Sequence, residues 1–265
     1  MYTKGGLQIS IMKFQHEFSR TELLIGEENL NKLKKSKVAV LGIGGVGGYA
    51  VEALVRGAVG NIIMADDDTV CLTNLNRQIQ ALYSTIAKPK VEVMKNRILD
   101  INKDCSVKIY QKFITKENLP EIIDKDTDYV IDAMDTITAK IDTILWCQKN
   151  NIKIISCMGV GNKFDPTRFK IGDIYETKIC PLAKIMRHEL RKRGVESLKV
   201  LYSDEVPTKP RIGEVLTCKE ACICKNGSKK CALKGQIPAS NSFVPPVAGF
   251  IIAGEVIKSL IGFNN

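Results

Sequence analysis

The chain has 265 residues, of which 45% are hydrophobic and 26% charged, and its net charge is +10 at pH 7. This length is sufficient to bury a core without disulfides, as one large α/β domain or two small ones, and this composition excludes a chain that is disordered throughout. The positive charge favours a polyanionic partner, of which nucleic acid is the first to consider, although charge alone does not identify it.

The cellular compartment is indicated by the N-terminal stretch and by the cysteines. The N-terminal stretch mixes Lys, Gln, His and Glu and lacks the pattern of a secretory signal. We therefore expect a cytoplasmic protein whose nine cysteines are reduced thiols. The one long apolar stretch, residues 243–261, contains two prolines together with Glu255 and Lys258, so it predicts a buried helix and no membrane span.

Hydrophobic periodicity and turn residues predict alternating helices and strands along most of the chain. Helices are predicted over residues 18–26, 27–35, 49–56, 88–99, 117–123, 137–150, 182–193 and 243–261. Strands are predicted over residues 38–41, 61–66, 106–110, 128–134, 152–156, 168–175 and 199–203. This alternation indicates a Rossmann-like, doubly wound and mostly parallel sheet, with an added antiparallel portion at 168–175 and a C-terminal helix.

A glycine-rich turn follows the first predicted strand. Gly42 permits a tight turn, Gly44 lets the backbone approach a phosphate without an intervening Cβ, and Gly47 completes the G-x-G-x-x-G spacing. The helix after the turn offers free N–H groups and the positive end of its dipole. The pattern predicts a nucleotide phosphate site, although these glycines alone are shared by dehydrogenases, flavoenzymes and adenylate-binding proteins.

The second predicted strand ends at Asp66, at the distance where such folds bind a ribose hydroxyl. A polar segment follows it and includes Asp68, Asn74, Arg77 and Gln78. Arginine can donate two hydrogen bonds to phosphate oxygens and carboxylates can hold a magnesium ion, so this segment suits a triphosphate better than a dinucleotide. An NAD dehydrogenase is accordingly the least favoured of the functions considered.

Two further polar residues are predicted at the same edge of the sheet. Lys90 lies at the N-terminal end of the helix predicted over 88–99, and Asp135 directly follows the strand predicted over 128–134. Ligands of doubly wound folds bind at the carboxyl ends of the strands, which makes Asp135 the best magnesium candidate. Its simpler role would be to cap the next helix.

The helix predicted over 182–193 is apolar on one face and basic around the rest, with Lys184, Arg187 and Arg191 among its cations. An amphipathic helix with a solvated basic face is the simpler interpretation. The excess of cations over the single acid, Glu189, favours contact with RNA phosphates instead.

Residues 205–240 are rich in Pro, Lys, Gly and Cys, and we expect a mobile loop there. Four thiolates suffice for tetrahedral zinc, although paired C-x2-C motifs are absent. The loop could equally be redox-active or accept sulfur, from a cysteine desulfurase for example. The four cysteines of this stretch are Cys218, Cys222, Cys224 and Cys231.

A series of motifs stands in order along the chain: Gly42-x-Gly-Gly-Val-Gly47, Asp66-Asp-Asp68, Asn74-Leu-Asn-Arg-Gln78, Lys90 and Asp132-Ala-Met-Asp135. Together they resemble the ubiquitin-activating-like adenylating superfamily, which includes ThiF, MoeB and HesA. Residues 18–20 resemble its N-terminal arginine segment and residues 244–258 its closing helix, so one adenylating domain would cover residues 1–265. Residues 76–82, residues 165–173 and the basic helix after Pro181 are similar to the tRNA threonylcarbamoyladenosine dehydratases of that superfamily.

The resemblance implies a role for each residue of the site. Asp66 would bind the ATP ribose, the turn that includes Gly45 would bind phosphate, and Asp135 would hold magnesium. The residues implied around the triphosphate are Asp68, Asn74, Arg77, Gln78 and Lys90. Arg20 would reach the ATP of the partner in a homodimer, so that a monomer would have an incomplete site.

The function expected from this resemblance is ATP-dependent adenylation of the carboxylate of N6-threonylcarbamoyladenosine in tRNA, followed by cyclisation. One alternative is adenylation of the C-terminus of a small sulfur-carrier or ubiquitin-like protein. The enzymes that activate sulfur-carrier proteins usually carry paired C-x2-C zinc motifs, which this chain lacks. Another alternative is a module that binds ATP and RNA, or transfers sulfur, without turnover.

Overall fold

The computed structural model describes residues 14–211 and 238–263. Helices and strands alternate through most of the first range, and one long helix occupies most of the second. The helices are α1 (Ser19–Ile25), α2 (Glu27–Lys35), α3 (Gly47–Arg56), α4 (Lys90–Ile101), α5 (Leu119–Ile122), α6 (Ile137–Lys149), α7 (Pro181–Arg191) and α8 (Val244–Ile261). The strands are β1 (Lys37–Leu41), β2 (Asn61–Ala65), β3 (Ser106–Tyr110), β4 (Tyr129–Asp132), β5 (Lys153–Cys157), β6 (Phe169–Asp173) and β7 (Lys199–Ser203).

The strands form one sheet in the order β3-β2-β1-β4-β5-β7-β6. All neighbouring strands are parallel except β6 and β7, which are antiparallel. The sequence-based prediction of a Rossmann-like sheet with an added antiparallel portion and a C-terminal helix is therefore confirmed. The strand order reverses between β1 and β4, and the carboxyl ends of these two strands flank the crevice where doubly wound folds bind ligands.

Two hydrophobic clusters cover the two faces of the sheet. Successive side chains of a strand point to opposite faces, so Val38 and Val40 of β1 join one cluster while Ala39 and Leu41 join the other. The first cluster is completed by residues of α3, α4 and α8, and the second by residues of α5 and α6. Burial on both faces explains why β1 reads as a continuous apolar run.

Helix α8 packs closely against α3. A Cβ added to Gly249 would lie 2.4 Å from the carbonyl oxygen of Val46, so only glycine permits this approach. Helix α8 is also long and apolar enough to cross a membrane by length and composition alone, and 44% of it is buried inside the protein. Most of the buried positions from Pro245 to Val256 recur at intervals of three or four residues and so lie along one side of the helix.

Several boundaries differ from the sequence-based prediction by one or two residues, and two of these differences have identifiable reasons. Strand β4 ends at Asp132 instead of residue 134, because the carboxylate of Asp132 accepts the N–H of Met134 at 3.2 Å and the chain turns there. Helix α7 ends at Arg191 instead of residue 193, and the chain then reverses through Gly194, whose φ of +71° favours glycine.

Candidate functional site

The glycine turn between β1 and α3 is shaped by very close backbone contacts. Gly42 has φ +87°, and a Cβ there would lie 2.9 Å from the carbonyl oxygen of Ala133 after β4. A Cβ on Gly47 would lie 1.9 Å from the carbonyl oxygen of Gly42. At Gly44, by contrast, the nearest atom to such a Cβ is the Gln78 Nε2 at 4.0 Å. The turn is thus rigid at its two ends and open in the middle, where a phosphate can approach the backbone.

Asp66 fixes the turn from the end of β2. Its Oδ2 accepts the N–H of Ile43 at 2.6 Å and its Oδ1 accepts the N–H of Asp68 at 2.8 Å. The side chain is 9% exposed, and burial raises its pKa, an effect opposed by the positive charge of Lys90. Asp66, which is predicted to bind the ribose, is therefore already held in place by the backbone around it.

Lys90 forms ion pairs with two acidic residues at this edge of the sheet, Asp66 and Asp68. Its Nζ lies 2.8 Å from Asp68 Oδ2 and 3.9 Å from Asp66 Oδ2, and its side chain is only 6% exposed. One carboxylate oxygen from each of Asp66, Asp67 and Asp68 lies within 4.8 Å of the other two, and oxygen ligands of this kind suit a divalent cation. Asp135 is exposed in the loop between β4 and α6, beyond the carboxyl end of the sheet. Its magnesium role stays a prediction.

Arg77 lies beside the glycine turn. A Cβ on Gly45 would be 3.3 Å from the Arg77 Cγ. The Arg77 Nη1 donates to the carbonyl oxygen of Thr73 at 3.0 Å and to the Asn76 Oδ1 at 2.8 Å, which holds the guanidinium next to the turn. Burial lowers the pKa of Arg77, but the guanidinium remains a cation at neutral pH.

Asn74 and Gln78 are both buried, with 9% and 6% exposure. The Asn74 Oδ1 accepts the N–H of Cys71 at 3.1 Å and closes a short turn that carries Arg77. The Gln78 Oε1 accepts from the Gln80 Nε2 at 3.1 Å, and the same nitrogen donates to the carbonyl oxygen of Ile43 at 2.6 Å. Gln80 thereby ties the polar segment to the glycine turn, a role that sequence reasoning missed because the two lie far apart in the chain.

A buried ion pair was also missed. Lys140 of α6 and Asp132 at the end of β4 are both 0% exposed, and the Lys140 Nζ lies 2.9 Å from Asp132 Oδ2. In the sequence, Asp132 stands out only as part of a motif. The apolar neighbours of Lys140 on α6 were the one available signal of its burial.

Asn162 holds together the chain segments on either side of residues 212–237, which lie outside the described ranges. Its N–H donates to the carbonyl oxygen of Ala239 at 2.8 Å, and its Oδ1 accepts the N–H of the same residue at 2.7 Å. Its carbonyl oxygen accepts the N–H of Thr208 at 2.7 Å. The segment after Ala239 then reaches the site, because the Ser240 carbonyl oxygen accepts from the Asn76 Nδ2 at 3.2 Å.

The basic residues of α7 differ in their contacts. The Arg187 Nη1 donates to the carbonyl oxygen of Thr177 at 2.8 Å and also to its hydroxyl oxygen. The Arg191 guanidinium lies 4.9 Å from the centre of the Tyr175 ring, a cation–π contact. Lys184 is exposed. The helix therefore presents part of its charge to solvent and uses part of it within the fold.

The remaining predicted residues fall into two groups. Arg20 lies exposed on α1, and its action on a partner's ATP stays a prediction. Cys218, Cys222, Cys224 and Cys231, predicted as zinc ligands, and most of the predicted loop over 205–240 lie outside the described residues. Among the described cysteines, burial raises the pKa of Cys105 to about 11 and that of Cys147 and Cys157 to about 12, which keeps these thiols protonated and unreactive.

Comparison with known proteins gives a consistent result. The model of the ThiF family matches residues 18–265. The chain is 48% identical to a tRNA threonylcarbamoyladenosine dehydratase of Bacillus subtilis (strain 168) over 249 residues, which are 93% of this chain and 95% of that protein. It is 35% identical to the protein of that name from Haemophilus influenzae, over 95% of both chains.

The same group appears among solved structures. The structure of the E. coli tRNA N6-threonylcarbamoyladenosine dehydratase TcdA in complex with ATP superposes with a TM-score of 0.80 at 30% identity, over 93% of this chain and 94% of that one. The fold and the similarity in sequence thus lead to one group of proteins. The chain belongs to the ThiF family, within its tRNA threonylcarbamoyladenosine dehydratases.

Proposed function

We propose that this chain is an ATP-dependent tRNA threonylcarbamoyladenosine dehydratase. It adenylates the carboxylate of N6-threonylcarbamoyladenosine in tRNA and then closes that group into a ring with net loss of water. The observation that carries the proposal is the open glycine turn at the β1–β4 switch point, with Asp66, Lys90 and Arg77 beside it, in a chain 48% identical to a dehydratase over 93% of its length.

ATP fits this crevice by the geometry of the turn. The backbone around Gly44 offers open space at the start of α3, whose N-terminal N–H groups and dipole favour a phosphate. Asp66, already fixed by two backbone N–H groups, would accept hydrogen bonds from the ribose hydroxyls. Asn74 and Gln78 would complete the wall of the phosphate site.

The chemistry requires stabilisation of phosphate charge and no general base. A carboxylate oxygen of the substrate attacks the α-phosphorus, the bond to the β-phosphate oxygen breaks, and pyrophosphate leaves. Arg77 and Lys90 would stabilise the negative charge that develops on the phosphates. Asp135 is the proposed magnesium ligand, and an ion held there would supply further electrostatic stabilisation.

Ring closure follows from the mixed anhydride. An internal nucleophile of the modified base attacks the activated carbonyl carbon, and AMP leaves with one oxygen of the original carboxylate. The oxygen lost as water in the net reaction is therefore carried away by AMP. With two histidines in the sequence and none at the described site, this route is consistent with the residues available.

The tRNA would contact the side of the molecule that carries α7. Lys184 is exposed there, Arg191 lies on Tyr175, and Arg187 is partly exposed beside Thr177. We further propose a cytoplasmic homodimer in which Arg20 of one protomer reaches the ATP of the other. A sulfur-transfer partner also remains a proposal. Zinc on Cys218, Cys222, Cys224 and Cys231 is a proposal that metal analysis of the purified protein tests, since less than about a tenth of an equivalent of zinc would exclude a structural site.

One experiment tests the proposal directly. The protein is mixed with ATP, magnesium and bulk cellular tRNA, and AMP release is measured together with nucleoside mass. We expect AMP release that requires tRNA and a modified nucleoside lighter by one water. Pyrophosphate exchange stimulated by a small sulfur-carrier protein and not by tRNA would favour that alternative, and ATP binding without AMP release would favour a non-catalytic module.

A matched variant connects this reaction to the site. Arg77→Ala should fold normally, because the side chain is at the crevice, yet lose modification by about a hundredfold or more as phosphate charge goes unstabilised. Arg56→Ala, on the far end of α3, removes the same charge away from the crevice and should keep full activity. Full activity in Arg77→Ala would contradict the proposed role.

A further inference from the structure

The buried pair of Asp132 and Lys140 lies next to the glycine turn, and all three N–H donors of the Lys140 ammonium have partners. The Lys140 ammonium donates to Asp132 Oδ2 at 2.9 Å, to Ser156 Oγ at 3.2 Å and to the Cys157 carbonyl oxygen at 2.8 Å. These are three partners for three N–H donors. The Ser156 hydroxyl donates to Asp132 Oδ2 at 2.5 Å. The network therefore joins α6 to the carboxyl ends of β4 and β5.

The second oxygen of the same carboxylate faces the site. Asp132 Oδ1 accepts the N–H of Met134 at 3.2 Å, in the turn that leads to Asp135. That turn is in direct contact with the glycine turn, because a Cβ on Gly42 would lie 2.9 Å from the Ala133 carbonyl oxygen and 3.0 Å from the Met134 nitrogen. One carboxylate thus binds the buried lysine on one side and the edge of the nucleotide crevice on the other.

Stability alone does not account for charges at these positions. Both side chains are 0% exposed, and taking two charges out of water costs so much that well-packed apolar residues of similar volume often serve a core equally well or better. An apolar pair, however, would supply no acceptor for the Met134 N–H. The acceptor at the end of β4 is what the charged pair adds.

We infer that Asp132, with Lys140 as its counter-ion, is a positioning residue that holds residues 133–135 against the glycine turn and so places Asp135 at the ATP phosphates. The inference rests on the proposed function in taking ATP as the ligand and Asp135 as a residue that acts at its phosphates. It assigns no contact with ATP to either member of the pair. Lys140 acts through Asp132, and Asp132 acts through the backbone of Met134.

Two double variants separate position from stability. Asp132→Asn with Lys140→Met removes both charges but keeps a side-chain oxygen that can accept the Met134 N–H. Asp132→Leu with Lys140→Met removes both charges and the acceptor, while leucine keeps the branching and the number of side-chain heavy atoms of asparagine. The two proteins differ only at residue 132, so the lost bond from Lys140 to Cys157 is common to both.

The measurements are ATP affinity by calorimetric titration, thermal unfolding, and kcat and KM for ATP with tRNA. We expect the double variant Asp132→Asn/Lys140→Met to bind ATP nearly as the wild type does. We expect Asp132→Leu/Lys140→Met to unfold at a similar temperature but to bind ATP about tenfold or more weakly, as is usual when a ligand loses its orienting partner. The kcat should fall as well, because a displaced ligand costs rate as well as affinity.

The other outcomes overturn the inference. Equal, wild-type-like ATP affinity in both folded variants would leave the pair a purely structural element. An equal loss of ATP affinity in both variants would show that the charges of the pair, and not the position of the turn, determine ATP binding. If the leucine variant does not fold, amide hydrogen exchange in the wild type decides, since a Met134 amide that exchanges as fast as an unbonded surface amide would also overturn it.

Failure of the proposed function would be recognised separately. ATP titration and amide exchange need no tRNA, so they still decide the role of Asp132 if the wild-type protein binds ATP but leaves tRNA unmodified. If the wild-type protein does not bind ATP, the proposed function fails, and exchange at Met134 still reports whether Asp132 holds the turn.

Discussion

The glycine turn and helix α7 are both rich in polar contacts, but different forces hold them. At the turn, backbone atoms approach so closely that a single added carbon at Gly47 would lie 1.9 Å from an oxygen. On α7 and directly after its end, cations make ion pairs and ring contacts, such as Arg193 with Glu189 at 2.7 Å. Solvent cannot relieve a steric clash between backbone atoms, whereas water and salt ions weaken the interactions between surface charges. Substitutions should therefore have large effects in the first region and graded effects in the second.

The largest effect is expected from Gly47→Ala. The new Cβ would overlap the Gly42 carbonyl oxygen, so the turn must open, ATP binding should be lost, and the free energy of unfolding should fall by about 3 kcal/mol. Urea unfolding and ATP titration would measure both. Gly254→Ala is the control, because nothing lies within 4 Å of a Cβ there and alanine in a helix stabilises by up to about 1 kcal/mol. Wild-type ATP binding by Gly47→Ala would show that the turn is not rigid.

The next largest effect is expected from Asp135→Ala, in the same region but at an exposed position. No close packing is lost, so the protein should unfold at an unchanged urea concentration. The rate of ATP-dependent tRNA modification should fall by about a hundredfold, because phosphate charge would lose its proposed metal ligand. Asp100→Ala removes an exposed carboxylate at the end of α4 and should leave the rate unchanged. Equal rates in the two variants would exclude Asp135 from the site.

A smaller effect is expected on α7. Replacing Lys184 and Arg191 by alanine should weaken tRNA binding several-fold, and the slope of log affinity against log salt should decrease by about one for each cation that contacts a phosphate. Lys103→Ala removes one exposed charge outside α7, and it controls for the effect of the protein's net charge on tRNA binding. An unchanged slope would identify α7 as a solvated face. Arg187→Ala is less informative, because it also releases Thr177.

The smallest effect is expected at Asp204, which pairs with Arg168 and Lys170 beside β6. These cations lower the pKa of Asp204 from 3.8 to about 2. The pairing therefore stabilises the fold above about pH 4, and this contribution is lost as the pH falls toward 2. In urea unfolding at several pH values, Asp204→Asn should be slightly less stable than the wild type at pH 5 and equal to it near pH 2. The carboxylate is partly exposed and screened by water, so the difference should shrink further in salt.

Local patterns predicted much of the fold. The bounds of α2, β3 and β7 agree with the sequence-based prediction to the residue, because each is a short periodic segment between clear turn signals. The glycine turn and Asp66 could be predicted as well, since their spacing reflects the backbone geometry that a phosphate site requires. Their predicted contacts with ATP remain to be measured.

Contacts between distant parts of the chain could not be predicted. Lys140 appears on a helix as one more charged residue, and its burial follows only once β4 and β5 are neighbours and present Asp132 and Ser156 to it. Gln80 reaches Ile43 across 37 positions. Counting cations on α7 likewise could not show that Arg187 is bound to Thr177.

The two outermost strands bear on how the protein behaves at high concentration. Strands β3 and β6 end the sheet on either side, and each leaves a row of backbone groups that could join the sheet of another molecule. Lys108 on β3 and Lys170 on β6 are about half exposed, each held by an aspartate from a neighbouring loop. A charge at each border makes such sheet-to-sheet joining costly, so the molecule carries its own protection against aggregation.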